Sequence, residues 1–209
     1  MKNNYDRVVE FYDLLGKVVF GDALMRAQRS VLHFIPQQAK VLIIGGGTGE
    51  ILEEITRLHA KGINIIFIEI SKKMIDKAAQ RNIGSNEVRF VHNAIEDYGT
   101  GERFDVIITS FLFDNFKQEK AELVFKKLDN LLLPDGKWLF TDFDIDQNLS
   151  GSWQKWLLKS MYLFFKIFSN VEANKLPNMA SLFDNAGYQQ IFQKFHFRRF
   201  INSAVFQKR

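Results

Sequence analysis

The sequence predicts an α/β fold with a mostly parallel sheet, and three observations carry that prediction. Apolar runs of strand length alternate with segments whose apolar residues recur at spacings of three and four. The first strand-like run, beginning VLII at Val41, enters a cluster of glycines, and a helical segment opens directly behind it. Two closing segments, Tyr188–Phe197 and Arg199–Phe206, have so few residues between them that they must pair antiparallel.

The elements follow in order. Tyr5–Val19 reads as a helix because Val8, Phe11, Tyr12, Leu15 and Val19 fall at spacings of three and four. Gly21–Ile35 reads as a second helix that ends before Pro36. After the glycine cluster, Thr48–Ala60 continues as a helix. Asn64–Ile70 is a second buried strand, and Ser71 is placed to cap a helix over Lys72–Arg81. Val88–His92 and Phe104–Thr109 are the third and fourth strands. Gln118–Leu132 is helical, with Leu123, Leu128 and Leu131 expected on its buried side, and it stops at the turn signature Pro134-Asp135-Gly136. Lys137–Phe143 is the fifth strand. Ser152–Ser169 carries Trp153, Trp156, Leu157, Met161, Phe164 and Phe168 on one broad helical face, and Pro177–Ala186 is a shorter helix.

Composition narrows the function classes. The 209 residues suit a single domain of 1–209, and 46% are apolar, enough for a real core. No apolar run reaches the roughly 18 residues of a membrane span, and the N-terminus has neither a signal core nor transit character. A soluble, cytoplasmic protein is expected. There is no cysteine, so disulfides and thiolate metal sites are excluded. His33, His59, His92 and His196 show no helical spacing with an acid, so no metal site is predicted. Charge is uneven. Residues 1–149 hold 19 basic and 22 acidic side chains, whereas residues 150–209 hold nine and two. The basic tail is either a solvated face or a surface for an acidic partner.

The chemistry-bearing signal is Gly45-Gly46-Gly47-Thr48-Gly49. Glycines between a buried strand and a helix start let the backbone turn sharply and approach a ligand. Gly45, Gly47 and Gly49 give G-x-G-x-G, and no frame of the run fits the dinucleotide pattern G-x-G-x-x-G, which argues against a nicotinamide cofactor. Glu69 ends the second strand 22 residues beyond Gly47, close to the roughly 20-residue spacing of an acid that binds ribose hydroxyls.

With these motifs, and with VRFVHNAIEDY, FDVIITSFLFDNF and LLLPDGKWLFTDF following in order, the chain resembles the class I S-adenosylmethionine-dependent methyltransferases over roughly residues 38–145. The likeness extends loosely to the small-molecule branch that includes the ubiquinone and menaquinone biosynthesis methyltransferases. It implies a Rossmann-like, seven-stranded sheet, mostly parallel with an antiparallel C-terminal strand, and helices on both faces. It implies S-adenosylmethionine as cofactor, a small-molecule acceptor and no metal. Residues 1–36 would lie over the cofactor site, 37–145 would form the cofactor-binding core, and 146–209 a helical insert with the closing strands.

The resemblance also assigns residues. Gly45, Gly47 and Gly49, with Gly46 and Thr48 between them, would contact the methionine part. Glu69 would bind the ribose, and Ile70 and Met74 would flank the adenine. Asn93, with Ala94 and Ile95, stands where the family usually has an acid, and its carbonyl can still accept a hydrogen bond. Ser110 and Phe111 would lie beside the transferred methyl. The family often has an acid at the position occupied here by Ile43. Asp114 is a candidate for acting on the acceptor; its other reading is a cap for the helix beginning near Lys117. Asp142 and Asp144 read as loop acids. Tyr5 and Tyr12 would cover the site or pack in the core. The Trp153–Phe168 face would pack on the sheet, line an apolar acceptor pocket or touch a membrane. Methyl transfer to nucleic acid or protein, and a non-catalytic cofactor-binding module, remain the alternatives; the tetrad typical of nitrogen methylation is absent from SFLFDNF.

Overall fold

The first, second, fourth and fifth predicted strands are apolar enough on both faces to sit inside a sheet covered on both sides, whereas the third, Val88–His92, carries Arg89 and His92 and suits an edge. A computed structural model describes residues 20–144 and 175–209. The helices expected over Tyr5–Val19 and Ser152–Ser169, with Tyr5, Tyr12 and the aromatic face from Trp153 to Phe168, lie outside the described residues.

The described strands are β1 (Lys40–Ile44), β2 (Lys61–Glu69), β3 (Ser85–His92), β4 (Phe104–Ser110), β5 (Leu132–Phe143), β6 (Gln189–His196) and β7 (Ile201–Gln207). They form one seven-stranded sheet in the order β3-β2-β1-β4-β5-β7-β6. The β1–β2, β1–β4, β2–β3 and β4–β5 pairs are parallel, and β7 is antiparallel to both β5 and β6. Only β7 is therefore reversed. Because β6 runs with the first five strands, the β6–β7 turn opens on the same sheet edge as the glycine turn after β1.

Alternation sorts the side chains between two faces. Val41, Ile43, Ile65, Phe67, Val106, Ile108 and Leu139 pack against α1 (Ala23–Leu32) and α2 (Glu50–Leu58), together with Ala78 of α3 (Lys72–Ala78). Leu42, Ile44, Ile66, Ile68, Ile107, Trp138 and Phe140 pack against α4 (Gln118–Leu131) and α5 (Met179–Asn185). Helices on both faces are thus observed. Ser71 caps α3 as expected, its hydroxyl accepting from the Met74 N–H at 3.3 Å. On the second face Phe183 stacks on Phe206 with centroids 3.7 Å apart, and the Trp138 indole donates to Thr109 at 2.9 Å.

Two expectations are corrected. Leu123 is 71% exposed. Ala121, Val124, Phe125 and Leu128 are the buried residues of α4, and their spacing of three, one and three leaves Leu123 on the opposite side. Leu131 is half-buried. The turn signature at Pro134-Asp135-Gly136 falls inside β5: Phe104 pairs with Leu132 and Val106 with Lys137, so the intervening residues bulge outward, with Asp135 at φ 61°. The bulge is tied down by Asp135 N–H to the Lys208 carbonyl at 3.1 Å and by Lys208 N–H to the Gly136 carbonyl at 2.9 Å.

Candidate active site

The strand order reverses between β1 and β4, whose neighbours β2 and β5 lie on opposite sides. At such a switch point, at the carboxyl ends of the strands, open α/β sheets have the crevice in which ligands bind. The glycine turn after β1 and the turn after β4 face each other across it. A Cβ on Gly45 would lie 3.3 Å from Leu112.

The glycines do different work. Gly46 has no room for a side chain, since a Cβ would sit 2.2 Å from the Phe67 ring. Gly49 precedes α2 at φ 77°, and a Cβ there would be 2.7 Å from that of Ala78. Gly47, at φ 59°, faces open space, with nothing within 4 Å of its Cβ position. Two of the glycines therefore serve packing, and Gly47 is the one with open space beside it. Thr48 is buried, and its carbonyl accepts from Arg81 Nε at 3.0 Å. Arg81 also meets Glu53 at 3.4 Å and so pins the turn from behind.

Glu69 is 5% exposed at the end of β2. One carboxylate oxygen accepts from the Gly47 N–H at 3.0 Å, the other from the Ser71 N–H at 2.9 Å. Burial raises its pKa, opposed by the N–H groups of Ser71, Gly47 and Ile70. The spacing read in sequence is thus a direct contact between Glu69 and the glycine turn. Ile70 is half-buried, Met74 and Ile95 are buried, and Asn93 and Ala94 are half-buried. Asn93 anchors the turn after β3: its N–H donates to the Glu69 carbonyl at 3.2 Å, and its side-chain oxygen accepts from Ala94 N–H at 3.0 Å. His92 is exposed, with Nε2 at 3.0 Å from the Ile70 carbonyl. These groups gather at the ends of β2 and β3, beside the glycine turn.

Ser110 and Phe111 lie on the other side of the crevice. Phe111 holds φ 53°, a costly value for a bulky residue. The surroundings enforce it: Phe111 N–H donates to the Thr141 carbonyl at 2.8 Å, and the Phe111 carbonyl accepts from Asn115 Nδ2 at 3.0 Å. Its ring centroid is 5.0 Å from that of Phe143, which in turn meets Phe20 and Phe200.

Asp114 does not cap α4, whose N-cap is Lys117 without a side-chain bond. It is 7% exposed in the 3-10 turn Phe113–Asn115 and accepts from Asn115 Nδ2 at 2.7 Å. Asp142 is no loop acid either. It is 3% exposed within β5, on the face of Trp138 and Phe140, and accepts from Phe113 N–H at 3.0 Å and Phe143 N–H at 2.8 Å. Burial pushes Asp114 up to about 7, and burial together with the Asp114 charge raises Asp142. Two neighbouring carboxylates in a dry site cannot both ionise cheaply, so the pair holds a proton at neutral pH. The pair escaped sequence reading, although an acid in register with Trp138 and Phe140 on an alternating strand was the available signal. Ile43 is 1% exposed and wholly within the core, so the first strand offers no acid to a ligand. Asp144, past the end of β5, donates its N–H to the Phe200 carbonyl at 2.9 Å.

Residues 41–136 match a family model described as a methyltransferase domain. Over 148 residues the chain is 30% identical to the ubiquinone/menaquinone biosynthesis C-methyltransferase UbiE of Wigglesworthia glossinidia brevipalpis, covering 66% of this chain and 57% of that protein. Over 107 residues it is 36% identical to malonyl-(acyl-carrier protein) O-methyltransferase 2 of Ilyobacter polytropus, covering 51% of this chain and 40% of that protein. It spans about half the length of these two relatives. The fold is also that of the Burkholderia thailandensis 1,6-didemethyltoxoflavin-N1-methyltransferase, solved with its namesake compound and S-adenosylhomocysteine, with a TM-score of 0.65 and 17% identity over 96% of this chain and 87% of that one.

Proposed function

We infer that this chain, whose residues 41–136 match a methyltransferase-domain model, transfers a methyl group from S-adenosylmethionine to a small, partly apolar acceptor. The observation that carries the reading is the contact between the buried Glu69 carboxylate and the Gly47 N–H at 3.0 Å. It joins a ribose-binding acid to the one turn glycine that opens outward, a pairing suited to a nucleoside with an amino-acid tail. When bound, the cofactor supplies an electrophilic methyl on a sulfonium.

The chain's own residues bind and orient. Glu69 accepts hydrogen bonds from the two ribose hydroxyls. The backbone of Gly45–Gly49 approaches the methionine part. Ile70 and Met74 give apolar walls to the base, and the Asn93–Ile95 turn meets its edge. Ser110 and Phe111 border the reacting end, where displacement needs alignment and exclusion of water more than proton transfer. Asp114 and Asp142 stand behind Phe111 and Phe113 and hold the turn; this placement supports positioning rather than a base acting on the acceptor. The rings of Phe20, Phe111, Phe143 and Phe200 at the same sheet edge support an acceptor with an apolar part.

Calorimetric titration with S-adenosylmethionine and S-adenosylhomocysteine, with NAD as control, tests the reading. Micromolar binding of the first two is expected, weakened about 100-fold in Glu69→Ala, which removes hydrogen bonds to a charged acceptor. Preference for NAD overturns it. Cofactor binding without turnover on any acceptor points to a non-catalytic module.

A further inference from the structure

The β6–β7 turn has an unusual backbone. Phe197, Arg198 and Arg199 hold φ of 45°, 53° and 66° in succession. The turn closes through the Phe200 N–H donating to the Phe197 carbonyl at 3.0 Å. Left-handed backbone is disfavoured for every residue with a side chain, and a run of three without glycine is rarer still. The residues at both ends of the turn explain why it persists. Phe197 meets Phe20 at 5.1 Å, while Phe200 meets Phe143 at 5.2 Å and is fully buried. The Asp144 N–H adds a bond to the Phe200 carbonyl. With its ends fixed in the aromatic wall, the turn holds Arg198 and Arg199 outward, and both are exposed.

Three further features bear on what those arginines meet. The turn opens on the sheet edge that carries the glycine turn and Phe111, since β6 runs parallel to β1–β5. The Arg199 guanidinium sits 4.0 Å from the Phe195 ring centroid, a cation–π contact that orients its fork. Lys194 and Arg26 add to the positive character nearby, and after burial their charges are what lower the pKa of His196.

We propose that the acceptor is an amphiphilic anion: an apolar body lies against the wall of Phe20, Phe111 and Phe143, and a carboxylate or phosphate is bound by the Arg198–Arg199 turn. This rests on the methyl-transfer reading above, and it makes the β6–β7 turn a specificity element. A guanidinium fork matches either oxyanion.

Two fluorescent probes with one apolar body test it: 1-anilinonaphthalene-8-sulfonate, which is anionic, and N-phenyl-1-naphthylamine, which is neutral. Each is titrated into protein saturated with S-adenosylhomocysteine and into protein without it. The anionic probe is expected to bind about tenfold tighter or better. The Arg198→Gln/Arg199→Gln variant is expected to erase that preference while leaving the neutral probe, S-adenosylhomocysteine affinity and the melting temperature in place. Arg199→Lys keeps most of the preference, because the charge remains. Phe111→Ala weakens both probes together. Equal affinity for the two probes, or a preference that survives the double glutamine variant, overturns the proposal. Failure of S-adenosylhomocysteine to bind removes the methyl-transfer reading instead, and the probe ratio still decides whether the turn selects anions.

Discussion

At the scale of single residues, Asp114 makes the sharpest prediction. Its folded pKa of about 7 lies above the 3.8 of an ordinary aspartate. Between those values the unfolded chain has released the proton and the folded chain still holds it. The folded state then binds more protons, so stability falls as pH rises through that window. Asp114→Asn keeps an oxygen to accept from Asn115 and carries no charge. It is expected to stabilise the fold by about 1–3 kcal/mol at pH 8, with almost no effect at pH 4. Urea unfolding at the two pH values measures this; a loss of stability at pH 8 would show that the ionised form is what the fold needs. The meeting of Glu69 with the glycine turn was legible from sequence because it follows from a spacing that topology fixes. Asp114 was only half legible: its place after β4 was clear, but its burial beside Asp142 depends on the meeting of Phe113 and Asp142, 29 residues apart in the chain.

At the scale of elements, the glycine turn is expected to separate packing from binding. Gly49→Ala forces a left-handed φ on alanine and drives a methyl into Ala78 at 2.7 Å. It is expected to cost about 2–4 kcal/mol of stability, whatever the ligand. Gly47→Ala meets open space. It is expected to cost about 1 kcal/mol in stability and at least about tenfold in S-adenosylhomocysteine affinity. Urea melts and calorimetry on both variants check the pair; equal effects in both assays would mean that Gly47 is structural too. The elements themselves were readable where one period dominates. β1, β2 and β4 are continuous apolar runs, and α3 starts at its serine cap. The failures have local causes. Leu123 was counted by residue type rather than helical phase, and the proline-aspartate-glycine signature marks a bulge because β4 continues to pair on both sides of it. The left-handed turn at Phe197–Arg199 has no glycine or asparagine to announce it. Aromatic packing at its two ends imposes it, and that packing exists only once β5, β7 and Phe20 have met.

At the scale of the whole molecule, cofactor binding should register as global stability. A ligand that bridges the β1, β2 and β4 ends binds only when all three are in register. S-adenosylhomocysteine at about 100 times its Kd is expected to add about 2.7 kcal/mol, raising Tm by about 5–10 °C for a chain of this size. NAD at the same concentration should leave the melting curve unmoved, and a differential scanning measurement reads both. The sheet order carries one more consequence, for refolding from the denatured chain. β7 follows β6 in the chain yet lies between β5 and β6. β6 therefore reaches the sheet only through β7, and β5 keeps one side bare until β7 docks. That border is open to other chains in the meantime, so refolding yield is expected to fall as the protein concentration during refolding rises.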